Sequence, residues 1–115
     1  MVACNPTGII YAKGASNIMS KVAALDKQQI EAEVAKLPNW SVKDGKLHAE
    51  FHFENFVEAF AFMTKVAFAA EAAQHHPEWS NVYNRVTIKL VTHDAGDAIS
   101  QRDIDMARQI DALAT

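Results

Sequence analysis

The sequence predicts an α+β fold: a four-stranded antiparallel sheet with three helices on one face, in the order α-β-β-α-β-β-α. Three observations carry that expectation. Helix-start patterns recur at Asp26, Asn55 and Ser100, each followed three residues on by Gln, Glu or Asp. Between them lie stretches of alternating apolar and polar residues, each split by a turn sequence. Apolar residues make up 50% of the chain and charged residues 22%, the balance of a globular protein rather than a disordered one.

The elements follow in order. Asp26 with Gln29 forms a capping box, in which a carboxylate accepts from orphan backbone N–H groups and an amide reaches back. Ile30, Val34 and Leu37 recur at helical spacing, and Pro38 stops the helix. Trp40 to Val42 and Lys46 to Phe53 flank Lys43-Asp44-Gly45 and read as a hairpin. In the second arm Leu47, Ala49, Phe51 and Phe53 share one face, and His48, Glu50 and His52 share the other. Asn55 with Glu58 opens a long helix over about residues 55–74. Its apolar residues form two adjoining stripes, Phe56-Phe60-Met63-Ala67 and Val57-Ala61-Thr64-Phe68, a surface wider than one packing face needs. Those stripes read as core or subunit interface. Pro77 ends this segment. Trp79 to Tyr83 and Arg85 to Thr92 read as a second hairpin around Asn84. Ser100 with Asp103 then starts a last helix carrying Ile104, Ala107, Ile110 and Leu113.

Length and charge set the organisation. At 115 residues there is room for one domain. Residues 1–25 carry Lys13 and Lys21 and no acid, whereas residues 26–115 sum to −5. The first segment also holds Pro6, Gly8 and Gly14, and reads as a flexible extension ahead of a folded domain at 26–115. Its lack of acidic residues suits a targeting peptide; its lack of Arg and of a continuous apolar stretch does not. No apolar run reaches the roughly 18 residues that a membrane span needs. The single cysteine, Cys4, reads as inert and rules out an internal disulfide framework. A net charge of −3 argues against broad nucleic-acid binding. So short a chain buries little of its own surface, which makes self-association an expectation from the outset.

Five histidines are many for this length. Glu71 precedes His75 by four residues, so both are expected on one side of the helix end, with Glu71 holding the ring. Pro77 limits the directions in which His75 and His76 leave the helix. His93 ends the fourth strand and, if the strand stays regular to its end, faces by parity away from Ile88 and Leu90. Imidazole titrates near pH 6.5, so these groups suit proton transfer near neutrality. Plainer readings stand beside this one. The His75-His76 pair also fits a solvated helix end. On pattern, Asp103 is a capping residue before it is a catalytic acid. His48 and His52 read as exposed strand residues. A metal site of His75, His76 and His93 lacks a helical His-x-x-x-His or cysteine partner, and none is expected.

The run Glu71-x3-His75-His76-Pro77-x5-Tyr83-x9-His93-x9-Asp103 resembles the signature of the pterin-4a-carbinolamine dehydratases. The words His75-His76-Pro77-Glu78-Trp79-Ser80-Asn81-Val82-Tyr83-Asn84, Thr92-His93 and Ser100-Gln101-Arg102-Asp103-Ile104 are especially similar, and the resemblance covers about residues 26–115. Gln74 stands where some members carry an acid, and the loop after His93 is one residue longer than in some relatives. The resemblance implies a 4a-hydroxytetrahydrobiopterin dehydratase, forming quinonoid dihydropterin in tetrahydrobiopterin recycling, without metal or other cofactor. It implies that His75, His76 and His93 line the pterin site as catalytic groups. Our reading of the motif makes His75 and His93 the main acid–base groups, with His76 orienting the pterin and able to share the proton work. Glu71, Pro77, Trp79, Thr92 and Asp103 would bind substrate or support the histidines. It further implies a cytoplasmic homotetramer, a dimer of dimers joined through the long helix. Some relatives use that helix as dimerisation cofactors of a transcription factor, so a protein partner is a second expectation.

Overall fold

A computed structural model describes residues 22–115. The targeting reading and Cys4 lie outside the described residues, as does most of the basic segment. The part of that segment that is described belongs to the domain: Leu25 N–H donates to the Ile99 carbonyl at 2.9 Å, beside a bridge from Ala24 to Ser100.

The expected order holds. Helix α1 (Lys27–Val34) is followed by β1 (Trp40–Lys43) and β2 (Lys46–His52), then α2 (Phe56–Ala73), β3 (Glu78–Val82), β4 (Arg85–Leu90) and α3 (Gln101–Leu113). The sheet is antiparallel throughout, in the order β1-β2-β4-β3. All three helix starts carry their caps. The Asp26 and Ser100 boxes close reciprocally, and the Asn55 side chain accepts from Glu58 N–H at 2.9 Å. Asp44 and Gly45 both have positive φ, which the two-residue turn of a right-twisted hairpin requires. At the other hairpin Tyr83 takes the left-handed conformation, and Asn84 ties the turn to the end of β2 through Phe53.

Register sets the two faces. Ala49 opposes Ile88, Ile88 opposes Trp79, and Leu47 opposes Leu90, so the apolar rows line up across strands. Leu47, Ile88, Leu90, Ile104, Met106 and Ile110 are fully buried. Each such side chain contributes about 1.5–3 kcal/mol of transfer free energy. Trp40, Phe51, Phe53 and Phe62 form a chain of ring contacts, with centroids 4.8–6.0 Å apart. Trp40 Nε1–H donates to Asp111 Oδ1 at 2.8 Å, which pins the end of α3 to β1. The opposite face of the sheet carries charged and polar side chains. His52 is exposed there and His48 is half-buried.

The face of α2 that meets the core differs from the apolar stripes the sequence made prominent. Ala59, Phe62, Val66 and Ala70 are buried, whereas Phe56, Val57, Phe60 and Phe68 are exposed. A helix apolar all round gives periodicity nothing to choose with. The sheet decides which side is used, and Phe62 of that side joins the ring contacts with Phe51 and Phe53.

Candidate active site

Three histidines gather at one end of the sheet, where α2 ends, β4 ends and α3 begins. His75, His76, Thr92 and His93 line an open-mouthed pocket of about 350 Å³, with Gln74, Val91, Asp94 and Arg102. Each element delivers its residue by a local device. Helix α2 stops because Gln74 enters the left-handed region at φ 53°. Gln74 N–H then donates to the Glu71 carbonyl and His75 N–H to the Ala70 carbonyl, a Schellman closure. The chain turns back sharply, and His75 and His76 leave in different directions.

That turn changes the expected pairing. Glu71 does not hold His75. His75 Nε2 lies 2.6 Å from Asp103 Oδ1, with the imidazole nearly and the carboxylate wholly buried. Glu71 instead pairs with His76, whose Nε2 is 2.9 Å from Oε1, and both groups are largely exposed. Four-residue spacing brings Glu71 to His75 only where the helix continues to residue 75. The helix ends at Ala73, and the left-handed Gln74 breaks the four-residue relation.

The fourth strand does not stay regular as far as His93. Strand β4 ends at Leu90, and Leu90, Val91 and Thr92 are buried in succession. His93 opens a single 3-10 turn over His93–Ala95, inside a loop closed by the Thr92 and Ala98 bridge. Gly96 (φ 78°) and Asp97 (φ 58°) return the chain, which brings Asp97 Oδ1 to 2.6 Å from His93 Nδ1. The Asp97 carboxylate, by hydrogen bond and then by charge, holds the His93 imidazole above its usual titration range, and Glu78 adds to this. Glu78 in turn is held below the usual carboxylate range, chiefly by its hydrogen bond from Lys46.

Asp103 caps the helix and faces His75 at once. Its Oδ2 accepts from Ser100 N–H at 2.9 Å, which completes the helix cap, while Oδ1 faces His75. Thr92 Oγ1–H also donates to Oδ2, at 2.8 Å. The ring nitrogens left for a ligand follow from these bonds: Nδ1 of His75 and His76, and Nε2 of His93.

Pro77 and Trp79 are not among the residues that line this pocket. Pro77 is half-buried after the helix end, and Trp79 packs against the core from β3. Sequence reasoning passed over Asp97 and Ser100. The four-residue step from His93 to Asp97 was the available signal for the first. Nothing local marked Ser100 as more than a cap.

The model of the family described as pterin 4 alpha carbinolamine dehydratase matches residues 23–113. A provisionally named pterin-4-alpha-carbinolamine dehydratase of Synechococcus sp. (strain WH7803) is 60% identical over 77 residues, covering 67% of this chain and 82% of its own. Its counterpart in Solibacter usitatus (strain Ellin6076) is 50% identical over 90 residues, covering 78% and 94%. Among solved structures, a transcriptional coactivator/pterin dehydratase from Brucella melitensis superposes with a TM-score of 0.76 at 37% identity, over 80% of this chain and 99% of that one. With its fold, its histidine cluster and its sequence all pointing one way, the chain belongs to the pterin 4 alpha carbinolamine dehydratase family, a family of hydro-lyases.

Proposed function

We propose that this protein removes water from a 4a-hydroxytetrahydropterin, the biopterin form in tetrahydrobiopterin recycling, by histidine acid–base catalysis. One observation carries the reading: three imidazoles, each with its own carboxylate, converge on one pocket in a member of this family.

The reaction breaks the C4a–O bond and takes the proton from N5, so that C4a=N5 forms and one water leaves. Nothing is oxidised. The departing hydroxyl needs a proton donor and N5 needs an acceptor. His93 suits the donor role, because Asp97 raises its proton affinity and leaves Nε2–H free. His75 suits the acceptor role. Its Nε2–H points at Asp103, which leaves Nδ1 as the atom able to take a proton, in a fixed direction. His76, on the pocket rim beside Glu71, orients the ring, and Thr92 and Arg102 complete the wall. Pro77 fixes the exit from the helix end, and Trp79 supports β3 from the core side. No metal or other cofactor enters these steps.

The test is dehydration of freshly generated 4a-carbinolamine by wild type, His75→Ala and His93→Ala. Each variant should stay folded and lose roughly 10²-fold or more in kcat, the usual contribution of a positioned acid or base. Full activity in both would refute the assignment.

The exposed row Phe56, Val57, Phe60 and Phe68 supports self-association through α2 into a dimer of dimers. A cytoplasmic location is proposed on the family resemblance alone. Among the described residues no helix is long and apolar enough to cross a membrane. A second reading, use of α2 to bind a partner protein as a coactivator, draws on the Brucella melitensis neighbour, which is described as both a transcriptional coactivator and a pterin dehydratase, and on that same row. Sedimentation of wild type against Phe60→Glu tests the first. A stoichiometric pulldown that recovers self-copies alone counts against the second.

A further inference from the structure

We propose that Ser100 and Thr92 form a hydroxyl relay that aims Asp103 at His75, making both of them positioning residues for the acid–base step. The proposal rests on the dehydratase reading for its kinetic consequence, but not for its geometry.

Thr92, Ser100 and Asp103 are all essentially inaccessible to solvent. Thr92 Oγ1 and Ser100 Oγ lie 2.6 Å apart, and either could donate on distance alone. Proton counting settles the direction. The one hydroxyl proton of Thr92 goes to Asp103 Oδ2, so Ser100 must donate to Thr92. Ser100 Oγ is then free to accept from Arg102 N–H at 3.2 Å. Ser100 N–H adds a second donor to the same Oδ2. The relay therefore runs from the Ser100 hydroxyl to Thr92, to Oδ2, and across the carboxylate to Oδ1 and His75 Nε2.

A helix cap does not require this. The Ser100–Asp103 box is complete with the Ser100 N–H bond and the acceptance from Arg102. A buried hydroxyl at Thr92 adds nothing to that cap, and valine would fill the same volume. What Thr92 adds is a donor from a different element. Oδ2 is held from the end of β4 and from the start of α3 at once, so the carboxylate plane cannot swing about its last torsion. Oδ1 is left in one place, and His75 follows it. Fixing a reacting group in this way is worth rate, because small misplacements are costly.

The test uses the full chain with Thr92→Val, Thr92→Ser and Ser100→Ala, reading kcat, KM and the proton NMR signal of His75 Nε2–H. Thr92→Val should lower kcat about tenfold with KM within about twofold, the pattern of lost orientation rather than lost binding. Its Nε2 proton should exchange with water faster. Thr92→Ser, which keeps the hydroxyl, should restore both. Ser100→Ala, which leaves Thr92 without its donor, should cost about threefold. The proposal falls if Thr92→Val keeps wild-type kcat and proton protection, or if Thr92→Ser is as impaired as Thr92→Val. Should Thr92→Val fail to fold, Ser100→Ala decides by the same two readouts. If wild type itself does not dehydrate the carbinolamine, the functional reading fails, and the proton signature alone decides the relay.

Discussion

His75–Asp103 and His93–Asp97 are two imidazole–carboxylate pairs with the same 2.6 Å separation and opposite surroundings. In the first pair the side chains are 9% and 0% exposed; in the second, 75% and 73%. Distance alone would rank them equal. Solvent separates their tasks. The buried carboxylate also accepts from Thr92 and from Ser100 N–H, so the pair is part of the join between β4 and α3. The exposed pair closes only its own loop. Water screens it, so it adds little to stability but can exchange protons freely. The proposed chemistry draws on both arrangements, one to hold a ring still and the other to reload a proton.

The contrast can be broken most forcefully at Asp103. Asp103→Ala strands the His75, Thr92 and Ser100 donors in the interior and should cost about 3–5 kcal/mol, the usual loss on removing one partner of a buried pair. Urea unfolding at neutral pH reads this directly, and for a domain of this size it is a large share of total stability.

Asp97→Asn should move the urea midpoint only slightly, because the pair is exposed and screened, but should move the chemistry. A general acid must be protonated, so the rate falls as pH rises through the His93 midpoint. Removing Asp97 removes the largest cause of that raised midpoint, and the fall should shift to lower pH. Kinetic pH profiles of kcat check this; an unmoved alkaline limb would show that His93 is not the acid. The same linkage sets the sign for folding. His93 holds its proton more tightly folded than unfolded. Its stabilising contribution is therefore whole below about pH 6.5, the unfolded value, and is lost as pH rises through the folded midpoint.

Salt offers a gentler comparison. At about 1 M, where screening acts over roughly 3 Å, the His93 midpoint should drop toward its ordinary value. The His75 Nε2 proton should keep its protection from exchange. The smallest effect is expected at the third pair. Glu71→Gln removes an exposed partner of His76 and should change stability by less than about 0.5 kcal/mol. Any loss of activity there would then report on substrate orientation alone.

Most of the fold was legible in short stretches of sequence. Asp26, Asn55 and Ser100 cap helices through bonds that span three residues or fewer, so sequence spacing contains their geometry. Asp44-Gly45 specifies its own turn, and the alternation from Leu47 to Phe51 faces the core as written. The gathering of His75, His76, Thr92, His93 and Asp103 followed from family resemblance, not from spacing. The partners within that cluster were less legible. Glu71 was expected on His75 and sits on His76, because one left-handed residue at Gln74 reverses the helix end. His93 lies beyond the reach of strand parity, because β4 stops at Leu90 and three residues are buried in a row.

By itself, then, the sequence determined the elements, their order, their caps and the family. These rest on interactions among near neighbours and on the period of apolar residues. Only the tertiary structure decided which face of α2 meets the core, which carboxylate holds which histidine, and which pair is dry. Those outcomes depend on contacts such as Asp103 with His75, separated by 28 residues, and on how much water each contact excludes. Neither quantity is a property of any local stretch of chain. Chain reversals and strand ends set them, and the strength of every charged pair follows from them.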